Sequence, residues 1–287
     1  MKTYLECLPC LMRQAMEAAY HATDDAAIRE EILRTTARSI ADADLGKSTP
    51  VHIGEVHRTV RRLTGDPDPY RAAKDHFNRT ILKLYPHFKD LIRQSRNPVE
   101  TALRLASGGN GIDMIVDAGL EKADIGDAVQ AFLSIPLPAT VIDDFASSVR
   151  SAKRILYLAD NAGEIVLDRL LIEELPMEKI TFAVKGGPVI NDVVIADARS
   201  CGITDIVDVI DNGADFPGTV LDECSDSFRD RFLDADLVIS KGQGNYESLS
   251  EVNQNIFFIF KAKCDVITLH LGYEVGSPVL LHSRKAG

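Results

Sequence analysis

Two hydrophobic periodicities divide this chain. From Met1 to about Arg150 the apolar residues recur at helical spacing, as at Ile28, Ile32 and Leu33, and again at Ile81, Leu84, Phe88, Leu91 and Ile92. Steps of three and four put such residues on one face of a 3.6-residue turn, and no β-branched run of strand length interrupts them. This half is therefore expected to be helical. Breakers at "GDPDP" (65–69), "NP" (97–98), "SGGNG" (107–111) and "IPLP" (135–138) punctuate it, giving about six or seven helices.

After Lys153 the pattern becomes short apolar runs, each followed by turn residues and then an amphipathic stretch. The runs are Ile155–Ala159, Ile180–Val184, Ile206–Ile210, Leu237–Ser240 and Val266–Leu269; Glu164–Leu175, Asn191–Cys201, Thr219–Leu233 and Glu247–Phe260 between them read as helices. This alternation is the grammar of a mainly parallel α/β sheet. The expected fold is α/β, with a helical N-terminal domain over residues 1–150 packed on a Rossmann-like α/β/α domain over 151–287. In such a sheet the ligand sits where strands end at their carboxyl edge.

Composition narrows the function without choosing it. With 287 residues, 45% of them hydrophobic and 26% charged, the chain has enough material for a sizeable core. A formal net charge of -11 argues against general binding of nucleic acid or anionic membranes, because both need a basic field. "MKTYLECLPCLMRQ" lacks the unbroken apolar core of a signal peptide, and runs such as Ile256–Phe260 are too short to cross a bilayer. A cytoplasmic location is expected. Five cysteines do not make a disulfide framework in a chain of this length, so reduced thiols are the default.

Each of the first four strands is expected to end on residues suited to a metal or a phosphate. "LYLADNAGE" (156–164) runs straight into Asp160, Asn161, Gly163 and Glu164; the second strand meets "KGGP" (185–188), then Asn191, Asp192 and Asp197; the third meets "DNG" (211–213); the fourth meets "SKGQGNY" (240–246). Hard divalent cations take oxygen ligands, and magnesium needs only one or two carboxylates beside water and phosphate. Lysines in glycine-rich loops at helix starts suit phosphate. Taken singly, "DN" is also an ordinary helix cap and "KGGP" or "DNG" an ordinary turn. "KGQGNY" lacks the Walker spacing.

The ordered set "CLPC", "SGGNGID", "DNAGE", "VKGGPVINDVVIADA" and "ISKGQGNYESLSE" resembles the domain of unknown function 89 family of metal-dependent damage-control phosphatases, within it the prokaryotic branch carrying CxxC. The resemblance covers essentially the whole chain. It implies a divalent metal (magnesium, manganese, cobalt or nickel) held by Asp160, Asn161 and Asp197, which would also form the catalytic set. It further implies substrate contacts from Lys241, Gly242, Gly244, Asn245 and Lys263, with Asn110 and Asp113 matching a "GNxxD" element. The implied substrate is a small phosphorylated metabolite: a sugar phosphate, a phosphopantetheine-like compound or a damaged phosphometabolite. A metal-activated water would attack the phosphomonoester, with lysines offsetting charge. An aspartyl-phosphate on Asp160 is the other route open to a carboxylate.

Other motifs favour other classes. Cys7 and Cys10 in "CLPC" suggest a redox protein or half a zinc site, yet the motif opens a helical half rather than following a strand, and no second CxxC completes four ligands. His52, His57, His76 and His87 lack metal-ligand spacing and read as surface or satisfied histidines; "DDAAIREE" (24–31) reads as a solvated, capped helix, and Arg58, Arg61 and Arg62 as a solvent face. A non-catalytic nucleotide or metabolite sensor would need the lysine loops but not the metal ligands. A carboxyl methyltransferase would expect a glycine-rich loop after the first strand, where "DNAGE" has one glycine.

Overall fold

The computed structural model describes residues 1–108, 133–135 and 137–283. Its first part builds α1 (Leu8–Ala22), α2 (Ala26–Ala41), α3 (Thr49–Thr64), α4 (Arg71–Leu82), α5 (Tyr85–Gln94) and α6 (Pro98–Ser107), followed by α7 (Ala139–Ser151). Local chemistry sets several starts. Asp25 caps α2 by accepting from the Ala27 and Ile28 amides at 2.8 and 3.3 Å, and Asn97 caps α6 just before Pro98, whose missing N–H costs nothing at that position.

The second part is a six-stranded sheet in the order β3-β2-β1-β4-β5-β6. The strands are β1 (Ile155–Leu158), β2 (Ile180–Val184), β3 (Asp208–Asp211), β4 (Leu237–Lys241), β5 (Ile256–Lys261) and β6 (Pro278–His282). The first five pair in parallel and β6 runs antiparallel on β5. Leu158, at the carboxyl end of β1, lies between Ala183 of β2 and Ser240 of β4. Strand order reverses between β1 and β4, so the crevice beyond them is where a doubly wound sheet takes its ligand. The intervening helices are α8 (Glu164–Glu173), α9 (Ile195–Ser200), α10 (Asp226–Asp234), α11 (Gln243–Leu249) and α12 (Asp265–Leu271).

The end of the chain departs from the expected pattern. The stretch Glu247–Phe260 is not one helix: α11 stops at Leu249, and "IFFIF" becomes β5, with both faces buried. A β-branched and aromatic run covered on both sides is what a central strand favours. Conversely Val266–Leu269 is helical, within α12, because only Ile267 there is buried and Leu269 is 85% exposed. β6 was not anticipated; it begins on Pro278, at the antiparallel edge where a missing amide is tolerated. Lys263 therefore lies just after β5, at the carboxyl edge, and leads into α12.

One apolar cluster crosses the helix-to-sheet junction. Ile81, Phe88, Leu103 and Phe145 share it with Tyr157, Leu171, Phe182 and Phe257. On the other face of the sheet, Met1, Phe216, Phe228 and Tyr246 pack with Leu156, Val238 and Phe258. His57 is buried in α3, where burial and then the charge of Arg61 push its imidazole down to about 3, so it is neutral. Arg58 and Arg61 do not simply face solvent. Both pair with Asp215, and Arg61 Nη1 donates to the Pro188 carbonyl at 2.6 Å, strapping α3 to two sheet loops. Among the described residues no helix is long and apolar enough to cross a membrane.

Candidate metal and phosphate site

The loop after β1 and the loop after β2 bind each other. The Ala162 amide donates to the Asn191 carbonyl at 2.9 Å, the Val193 amide donates to the Asp160 carbonyl at 2.9 Å, and Asn161 and Asp192 form an antiparallel bridge. This short ladder sets Asn161 opposite Asp192 and brings the carboxylates of Asp160 and Asp192, which are 6% and 2% exposed, near enough for their charges to interact. Ile190, in the turn leading to Asp192, has φ of 45°, a costly conformation for a β-branched residue. Its side chain packs against the apolar cluster of α1, α2 and α3, which offsets that strain.

Two like charges held this close resist ionisation. Burial, then the charges of Asp192 and Glu164, push the Asp160 carboxyl up to about 8 against the pull of Lys263 and Lys185. Burial also raises Asp192, although Lys185 opposes it. The Lys185 Nζ lies 3.5 Å from Asp192 Oδ2, yet that oxygen is buried without a hydrogen-bond partner. Asn161 Nδ2 donates to Asp160 Oδ2 at 2.8 Å and to Glu164 Oε1 at 3.2 Å. A neutral amide thus bridges carboxylates that a cation would satisfy better.

The donor set fits a hard divalent ion. It offers two crowded carboxylates, one with an unsatisfied oxygen, and the Asn161 amide, whose oxygen becomes available if the group turns over. Among the described residues no three His, Cys, Asp or Glu side chains converge into a complete ligand set. A cation here would keep positions for water or phosphate, as magnesium does. Gly242 makes room for this arrangement. It has φ of 85°, and a Cβ added there would come within 2.1 Å of the Asp160 carboxylate. A Gly242→Ala variant is expected to lose at least about 100-fold in turnover and about 1–3 kcal/mol in stability, checked by steady-state kinetics and thermal unfolding; wild-type kinetics would show that the Asp160 position is not critical.

The residues expected from sequence are placed very differently from one another. Asp197 is fully buried and its carboxylate is already satisfied: Arg71 Nη2 at 2.5 Å, Lys74 Nζ at 2.9 Å, Asn78 Nδ2 at 3.0 Å and the Val194 amide at 3.0 Å. Burial alone would raise it, but the Arg71 hydrogen bond and the Lys74 charge hold it below the usual carboxylate range. Of the two aspartates that follow the second strand's turn, Asp192 is the one whose charge acts on Asp160. Periodicity assigns both aspartates to one helix, Asn191–Cys201, and so does not separate them; in the structure Asp192 precedes α9 and Asp197 lies within it.

Lys241 and Asn245 are also committed inward. The Lys241 Nζ lies 2.7 Å from Asp168 Oδ1 and 3.5 Å from Glu164 Oε2, under the sheet edge at 1% exposure. Tyr157 donates to the same Asp168 oxygen at 2.8 Å. Asn245 donates to the Lys241 and Ala159 carbonyls at 2.7 and 3.2 Å and accepts from Thr219 Oγ1 at 2.7 Å, which ties β1, β4 and the 219 loop together. Gly244 lies close against Gly218. Lys263 is different: it is exposed, its amide is fixed by Gln243 Oε1 at 2.8 Å, and its charge acts on both Asp160 and Asp192. Asn110 and Asp113 lie outside the described residues.

The remaining loops leave little for a phosphate. The Gly186 and Gly187 amides of "KGGP" donate to the Ala214 carbonyl, and Gly186 also donates to Asn212 Oδ1. Lys185 Nζ donates to the Gly218 carbonyl. Cys7 caps α1 and Cys10 sits in its first turn, both as free thiols; burial raises the Cys10 thiol above its ordinary value, with Arg13 opposing. A raised thiol is a poor nucleophile. A concavity of about 290 Å³ lies at the opposite, amino edge of the sheet, bordered by Lys153, Arg154 and Lys179, away from all these residues.

Comparison with known proteins points to one family over nearly the whole chain. The damage-control phosphatase ARMT1-like domain matches residues 3–279. An uncharacterized protein of Methanocaldococcus jannaschii is 35% identical, covering 96% of this chain and 94% of its own. Damage-control phosphatases of Pyrococcus horikoshii and Archaeoglobus fulgidus are 32% and 30% identical, covering 99% and 95% of this chain and 99% and 96% of their own. The crystal structure of the Pyrococcus horikoshii protein, described as a DUF89 family protein, superposes with a TM-score of 0.89 at 30% identity over 99% of both chains. The chain belongs to the damage-control phosphatase ARMT1-like family.

Proposed function

We propose that this protein is a divalent-metal-dependent phosphatase acting on small phosphorylated metabolites, with Asp160, Asn161 and Asp192 as the ligands of the cation. Membership of a damage-control phosphatase family supports phosphatase activity on damaged metabolites. The single observation that carries the metal reading is the Asp160–Asp192 pair, two buried carboxylates on loops that the Asn161–Asp192 bridge ties together, with an oxygen of Asp192 left unsatisfied. Such a pair lowers stability until a cation arrives, which is the usual sign of a functional site.

When bound, the cation would supply Lewis-acid polarisation of a phosphoryl oxygen and a lowered pKa for water. The protein's own residues do the rest. Asp160 and Asp192 would hold the cation in their deprotonated forms, so its binding releases the proton that burial and crowding keep on Asp160. Lys263, exposed beside both carboxylates, offsets charge on the phosphoryl group. Glu164, beside Lys241, accepts from Asn161 Nδ2 without the cation, a bond given up when Asn161 turns its oxygen to the metal. Lys241, Gly242, Gly244 and Asn245 shape the floor of the site from within the fold. Hard oxygen donors suit magnesium or manganese, and cobalt or nickel also bind such sets.

The test is hydrolysis of p-nitrophenyl phosphate by chelator-treated protein, with magnesium, manganese, cobalt or nickel restored one at a time, beside Asp192→Ala and Asp197→Asn. Metal-dependent turnover lost in Asp192→Ala, by about 1,000-fold or more, is the expected result. Asp197→Asn should lose stability more than metal affinity. Full turnover in Asp192→Ala with none in a folded Asp197→Asn would return the third ligand to Asp197, and absence of turnover with every metal would leave a non-catalytic metabolite sensor.

A further inference from the structure

Asn78 is a buried amide with both ends spent on different loops of the site. Its Oδ1 accepts from the Gly163 amide at 2.7 Å, and its Nδ2 donates to Asp197 Oδ1 at 3.0 Å. Gly163 stands two residues after Asn161 and has φ of 81° and ψ of -53°, a left-handed geometry open to glycine, and α8 begins at the next residue. Asp197 in turn accepts from the Val194 amide, two residues after Asp192, and so anchors the start of α9. Helix α4, which carries Asn78, packs against both α8 and α9, the helices that begin where the two carboxylate loops end.

We propose that Asn78 is a positioning residue that braces the Asp160 loop against the Asp192 loop and so sets the separation of the two carboxylates, an inference that rests on the metal-dependent reading above. The brace comes from the helical half, from a helix face that also supplies Arg71 and Lys74 to Asp197. Groups that orient metal ligands without touching the metal typically contribute about 10- to 100-fold to affinity or activity.

Two variants of the full-length chain test it. In Asn78→Ala, with 15N-glycine labelling and no metal present, exchange of the Gly163 amide should accelerate at least about tenfold relative to the Gly186 amide, whose partners are Ala214 and Asn212. Mn2+ affinity, measured by electron paramagnetic resonance of the free ion, should fall about 10- to 100-fold. Asn78→Asp keeps an acceptor for Gly163 but loses the donor to Asp197. It should preserve Gly163 protection yet still weaken Mn2+ binding, and it serves alone if the alanine variant does not fold. A purely structural role would lower the melting temperature and leave Mn2+ affinity within about twofold of wild type, which would overturn this proposal alone. Failure of the wild-type chain to bind Mn2+ would overturn the metal-dependent reading and the brace together.

Discussion

Replacing Asp160 with asparagine is expected to abolish phosphatase turnover, by about 1,000-fold or more, while raising the stability of the metal-free protein. Both effects have one source. Burial and the charges of Asp192 and Glu164 push the carboxyl of Asp160 up to about 8, whereas an unfolded aspartate titrates near 3.9. The folded chain therefore holds an extra proton between those values, and the stability this group contributes is fully present below about pH 4 and lost as pH rises through 8. Asparagine has the same shape and cannot ionise, so the variant's advantage should grow across that window and be greatest at its upper end. Thermal unfolding in chelator at pH 5 and pH 8.5, with turnover assays in restored metal, checks both halves. A variant less stable than wild type at pH 8.5 would mean that the carboxylates are not crowded.

Lys241→Met is expected to carry the largest stability cost, about 3–5 kcal/mol, or on the order of 10 °C in melting temperature for a chain of this size. Burial alone would lower the Lys241 ammonium, but the charges of Asp168 and Glu164 outweigh it and hold it above the ordinary lysine value. Removing it leaves those two carboxylates facing each other without a counter-charge. Repeating the substitution in an Asp168→Asn background should recover part of the loss, and a double-mutant cycle measures how much. A lysine that touched substrate would instead raise KM and leave the melting temperature unchanged.

The sequence made the strands that matter legible, because Ile155, Ile180 and Leu237 open runs that are buried on both faces. It also marked Asp160 and Asn161, since an acid and an amide ending such a run stand at a parallel sheet's ligand edge. What it did not convey was direction. A lysine that closes a strand reads the same whether it reaches outward to substrate or inward to Asp168, and Lys241 reaches inward. The groups that satisfy Asp197 and leave Asp192 the less satisfied of the two, Arg71, Lys74 and Asn78, lie more than a hundred positions away along the chain. The exchange of strand and helix near the end had a local cause: "IFFIF" follows an amphipathic stretch without a glycine or proline to separate them.

The apolar cluster shared by Phe88, Leu103 and Phe145 with Tyr157, Leu171 and Phe257 bears on how the molecule comes apart. Helix α4, which holds the carboxylate loops through Arg71, Lys74 and Asn78, shares this cluster through Ile81, so neither part can melt while the other keeps its packing. A single cooperative transition follows, and native-state hydrogen exchange should give α8 and β1 the same opening free energy as α6. A fragment beginning at the first strand would expose the apolar face that α6 covers and would be prone to clump rather than fold.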